Sequence, residues 1–170
     1  MMDGFDDALK HFPGWDPTKL RAADELGDRV AAVLTVDQET DNIALLTKNA
    51  AGRWQFVGAG GSRWTPGWPD RLIRKAATDH IVALSRLKQD VLLDALDGQT
   101  LTHLIAISGI IATPVKGVRL VKAAGQKGQE FRNLSLKPES KFFVVVDEPP
   151  YALYPLDDAG NEISGRLSVS

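Results

Sequence analysis

The sequence predicts an α+β protein that is mainly β: antiparallel sheets in a sandwich or open barrel, with one principal helix at about 70–97 and short N-terminal helices. Three observations carry this expectation. Between residues 29 and 60, apolar and partly β-branched runs alternate with turn residues at strand-sized intervals. Between 70 and 97, apolar residues recur at helical spacing. From 101 onward, strand-like runs return, separated by glycine- and proline-containing segments.

The elements follow in order. In FDDALKHF the apolar residues 5, 8, 9 and 12 share one helical face, and Pro13-Gly14 ends the run. A second short helix is predicted behind Asp16 or Thr18 as cap, with Leu20, Ala23 and Leu26 as its stripe up to Gly27. RVAAVLTV (29–36), NIALLTKN (42–49) and RWQFVGAG (53–60) read as three strands of an antiparallel meander, joined by DQETD and NAAG turns. The helix over 70–97 carries Leu72, Ile73, Ala76, Ala77, Ile81, Leu84, Leu87, Val91, Leu92 and Ala95 on its apolar side. Asp70 is its expected N-cap and Gly98 its C′ residue. Strands are then expected at 101–113, 117–123, 128–136, 141–147 and 152–157, with a last short strand after the DDAGNEI turn. The 170 residues suit a single domain: a helical segment 4–27, the meander 29–60, the helix 70–97 and the C-terminal strands 101–169.

Composition narrows the function classes. A net charge of −2 leaves no electrostatic footprint for nucleic acid or an acidic membrane surface. Its densest basic patch is Arg71, Arg74 and Lys75. With no cysteine there are no disulfides, thiolate nucleophiles or thiol metal sites. The acidic start MMDGFDDALK lacks the order of a signal peptide, and no apolar run reaches membrane-spanning length. The expectation is a cytoplasmic protein.

The C-terminal third carries a pattern of its own. SGIIATPVKGVRLVKAAGQKGQEF, KFFVVVDEPP and ALYPLDDAGNEI follow one another, with Gly109, Val118, Leu120, Phe142, Phe143, Val144, Asp157 and Gly160 at the marked places. This order resembles a β-sandwich module of uncharacterised actinobacterial proteins. The hairpin departs from that pattern, with Gly125-Gln-Lys-Gly128 where Asp-Gly is usual. The resemblance implies a fold and no chemistry.

Candidate site residues are few. VGAGGSRWTPGWP (57–69) concentrates glycines with Arg63, Trp64 and Trp68. A dinucleotide loop needs a third glycine at fixed spacing and a helix directly behind it, and a phosphate loop needs Gly-Lys-Ser/Thr; neither is present. Gly60 and Gly61 therefore belong to a wide turn, with Arg63, Trp64 and Trp68 as its ligand or partner contacts. His80 is the polar residue on the apolar side of the main helix, and Asp79 or Asp90 are the carboxylates in a position to orient it. His103 is expected among leucines in a strand. The three histidines lack metal-site spacing, and Asp37, Glu39 and Asp41 lack the glycine and glutamate of a calcium loop, so neither metal nor cofactor is expected. No G-x-S-x-G elbow occurs, and Ser108-Gly109 reads as a strand kink. These residues point to a non-enzymatic binding protein, its partner another protein or a second copy. The alternative is a small-molecule binder or hydrolase-like enzyme with a pocket beneath the Gly58–Trp68 loop, using Arg63 and His80.

Overall fold

The computed structural model describes residues 4–12, 15–36, 40–63, 68–95, 98–112, 115–122, 131–134, 141–163 and 165–170. They form an α+β, mainly β molecule with two short helices, α1 (Phe5–Leu9) and α2 (Trp68–Asp79). Four strands make a first sheet in the order β1-β2-β3-β4: β1 (Leu20–Leu26), β2 (Val30–Val36), β3 (Thr40–Lys48) and β4 (Trp54–Arg63). A central sheet holds β5 (Ile81–Ala95), β6 (Gly98–Ile111) and β9 (Lys141–Asp147). The outer sheet has the order β11-β10-β7-β8, from β7 (Gly117–Lys122), β8 (Phe131–Leu134), β10 (Tyr151–Leu156) and β11 (Leu167–Val169). All pairings are antiparallel. The meander stands as expected, with Leu34 opposite Ile43 and Ala44 opposite Ala59.

Side-chain alternation stacks these sheets in layers. Ile43 and Leu45 of β3 point toward Leu104, Ala106, Phe143 and Val145 of the central sheet, forming the inner core. The intervening Ala44 and Leu46 point the other way, onto Phe5, Leu9 and Phe12 around α1. In β6 and β9, Ile105, Ile107, Phe142, Val144 and Val146 face the outer sheet, where Val118, Leu120, Leu153 and Val169 meet them. A strand covered on both faces has no solvent side and needs no polar alternation. That is why VAAVL, LIAI and FFVVV read as unbroken apolar runs. The first and central sheets also meet along their edges, β4 beside β5 and β1 beside β9. Asp24 closes the second seam by accepting a hydrogen bond from the Val145 amide at 2.9 Å. The strands that carry the C-terminal resemblance divide between two facing sheets, β6 and β9 in one, β7 and β10 in the other.

Three local expectations are corrected. Residues 20–26 are strand β1, preceded only by a 3₁₀ turn at Pro17–Lys19 that Asp16 caps through the Thr18 amide at 3.0 Å. The principal helix ends at Asp79, and the rest of its expected length is strand β5. His80 terminates α2: with φ 67 it takes the left-handed conformation, its N–H bonded to the Ala76 carbonyl at 2.7 Å. Gly98, the expected C′ residue, opens β6 instead. Gly58 to Arg63 are not a turn but the second half of β4, Gly60 opposite Ile43 and Gly61 opposite Asn42. The expected connections at 37–39, 123–130 and 135–140 lie outside the described residues, as does Trp64.

Candidate functional site

The glycine-rich stretch has a packing explanation. A Cβ on Gly58 would sit 2.7 Å from Gln89 Oε1, and one on Gly60 would sit 2.9 Å from Leu87 Cδ1. Those side chains come from β5, which lies along β4, so the missing side chains on β4 are what let the two edges close. At Gly61 a Cβ would meet the Asn42 side chain and the Asp41 carbonyl. Gly60 and His80 are not neighbours: Gly60 lies against Leu87, and His80 is seven residues earlier along an extended chain, roughly 23 Å away at strand rise. The side chains of Arg63 and Trp68 are outside the described set. Trp15 and Trp54 belong to packing around α1, with Trp54 edge-on to Phe5 at a centroid distance of 4.9 Å.

Between the first and central sheets lies a polar group that sequence reading left in a turn. Asp41 is fully buried, and the Ser108 hydroxyl donates to its Oδ2 at a long 3.5 Å. Ser85 and Ser108 share a second bond at 2.7 Å, both side chains buried. Hydroxyls beside a buried carboxylate replace part of the water it has lost. The group pins β3 to β5 and β6.

The exposed chemistry gathers on the arm formed by β5 and β6. β9 pairs with β6 only from Leu104 to Ile110, while the β5–β6 ladder continues to Ala95 opposite Gly98. On this overhang Leu92 and Leu101 are direct cross-strand partners, and both are solvent-exposed, by 58% and 54%. They are the large apolar side chains most exposed among the described residues. The next pair on the same face is Asp90 and His103, joined Oδ1 to Nδ1 at 2.6 Å. Glu148 closes the base of the arm: its Oε1 accepts from the His103 amide at 3.0 Å, and its own N–H donates to the His103 carbonyl at 2.8 Å. Lys122 then binds the Glu148 carbonyl at 2.6 Å and lies over the Tyr151 ring at 4.6 Å. The bond to Asp90 and its charge, with Glu148 adding to them, raise the His103 pKa above its usual 6.5.

Nothing in the sequence marks this arrangement while β5 is read as a helix. That reading offers Asp90 to His80 and leaves His103 among leucines; the strand register joins Asp90 to His103 and puts both in solvent. Among the described residues no group of His, Asp or Glu is arranged to hold a metal ion, and no helix is long and apolar enough to cross a membrane. Comparison with protein families, curated proteins and solved structures finds no match to this chain.

Proposed function

We propose that this protein works by binding rather than by catalysis, and that the β5–β6 arm is its contact surface, pairing with the arm of a second copy. The observation that carries this reading is the exposed cross-strand pair Leu92–Leu101 on a ladder that outruns its sheet. Paired aliphatic side chains held in water gain free energy when covered, about 25 cal/mol for each Å² of apolar surface removed. A two-fold axis through this pair is self-complementary, because each copy offers the same leucines to the other. When that axis runs along the strands, it sets Asp90 of one arm toward His103 of the other, so the flanking charges attract. A net charge of −2 opposes the approach of two copies only weakly. Two leucines and their flanks make a small interface, so the association is weak and concentration-dependent.

Sedimentation velocity over a concentration series tests this. Wild type is expected to associate as concentration rises, and Leu92→Lys with Leu101→Lys to sediment as monomer while keeping the wild-type melting temperature. A wild type that stays monomeric throughout defeats self-association. Association unchanged in the double variant removes the arm from the contact.

A further inference from the structure

A second feature, independent of the arm, lies at the C-terminal end of α2. A cleft of about 580 Å³ opens between the last turn of α2, the start of β5 and residues 165–167. That volume falls within the range of about 300–1,000 Å³ typical of small-molecule sites. Among the described residues its charged groups are Lys75, Asp79 and Arg166, its hydroxyl is Thr78, and Ala83 and Leu167 contribute apolar surface.

The walls are fixed. Gly165 has φ +122, and a Cβ there would run into the Asp79 carbonyl, so the C-terminal segment lies backbone to backbone against the end of α2. Directly beyond Arg166, Leu167 pairs with Leu153 and Val169 is fully buried. The Arg86 guanidinium holds the Ser168 carbonyl at 3.3 Å. Arg166 is thus held between two anchored neighbours, and the cleft is shaped before anything enters it.

The charges specify the ligand. Lys75 and Arg166 make no ion pair among the described residues, so two unpaired cations and one carboxylate, Asp79, line the cleft. One positive charge is left for a ligand to neutralise. Asp79 and the carbonyl end of the helix add negative potential to the same cleft, which disfavours a second anionic group. A guanidinium matches the two oxygens of a carboxylate, and Ala83 and Leu167 suit an apolar body.

We propose that this cleft binds a small organic monocarboxylate, its carboxylate between Lys75 and Arg166 with Thr78 as hydroxyl donor, and its hydrocarbon body against Ala83 and Leu167. The test is an NMR titration of the full chain with hexanoate, with hexanol and adipate as the neutral and dicarboxylate controls. Hexanoate is expected to give saturable shifts at the Thr78, Ala83 and Leu167 amides in the millimolar range or below. Hexanol should give none, and adipate should bind more weakly. Lys75→Ala and Arg166→Ala are each expected to weaken hexanoate binding by about tenfold without changing the melting temperature. Asp79→Asn should narrow the gap between hexanoate and adipate. Absence of saturable shifts with hexanoate, equal binding of hexanol, or full affinity in Arg166→Ala would each overturn the proposal. None of these outcomes bears on the arm, whose readout is the oligomeric state.

Discussion

His103 shows how one cross-strand contact sets a residue's chemistry. Asp90 accepts from the imidazole at 2.6 Å, and both side chains remain more than half exposed. The hydrogen bond and the nearby negative charges favour the imidazolium, so the folded pKa stands above the unfolded one. By linkage, the stabilisation is fully present below the unfolded pKa, near 6.5, and is lost as pH rises through the raised folded value. An NMR titration of the His103 ring is expected to give a midpoint above 6.5 in wild type and a lower one in Asp90→Asn. An unchanged midpoint in the variant would show that solvent screening has cancelled the pair. Asp41 makes the opposite point about position. In sequence it sits among the polar residues of DQETDN, and only the start of β3 at Thr40 turns it inward. A turn and a strand entry can share the same polar composition, so burial there is decided by where pairing begins.

At the scale of elements, the two segments misread as helix are both strands with a bulge. In β5 the pairing jumps from Ala83–Gly109 to Ser85–Ser108, which leaves Leu84 as the extra residue. Ile81 and Ala83 face the outer-sheet core before it, and Leu87, Val91 and Leu93 face the inner core after it. Changing face partway breaks the two-residue period and leaves Ile81, Leu84, Leu87 and Val91 at spacings of three and four, the signature of a helix. β1 does the same: the register shifts between Leu20 and Ala22, so Leu20 faces α1 while Ala22 and Leu26 face the inner core. The β2–β3 hairpin was legible because its register runs unbroken, whereas β4 carries a shift opposite Leu45 and Leu46 and its second half reads as a turn. The stripe on α1 was legible because Phe5, Ala8, Leu9 and Phe12 keep one helical face. The glycines give the element-level test. At Gly109 a Cβ would strike the Phe142 ring and the Val82 carbonyl, and neither has room to move. At Gly60 it would meet only the tip of Leu87, which can shift. Gly109→Ala is expected to destabilise by about 3 kcal/mol, at the upper end for overpacking, and Gly60→Ala by about 1 kcal/mol or less. In a Leu87→Ala background the penalty of Gly60→Ala should vanish; persistence there would mean that β5 does not press on β4 at this point.

The whole molecule is a stack: α1, the first sheet, the central sheet and the outer sheet, with a separate apolar core in each gap. The central sheet is the layer that contributes to two inter-sheet cores at once. Its strands β6 and β9 contain fully or almost fully buried residues at 104–107 and 142–146. Opening them requires both cores to separate, whereas α1 can lift away at the loss of one core and without breaking any strand pairing. Cooperative units of this kind open with different free energies, and the elements with the fewest buried partners open first. Native-state hydrogen exchange under increasing denaturant should therefore rank the layers. Amides of β6 and β9 are expected to exchange only through global unfolding, and those of α1 at a smaller free energy. Phe5→Ala, which removes a ring buried between α1 and Trp54, should cost about 3–5 kcal/mol if α1 stays docked. It should cost less if the helix undocks, with exchange then accelerating in α1 but hardly in β9. Equal acceleration in both would show that the stack opens as one unit and that its layers are not separable.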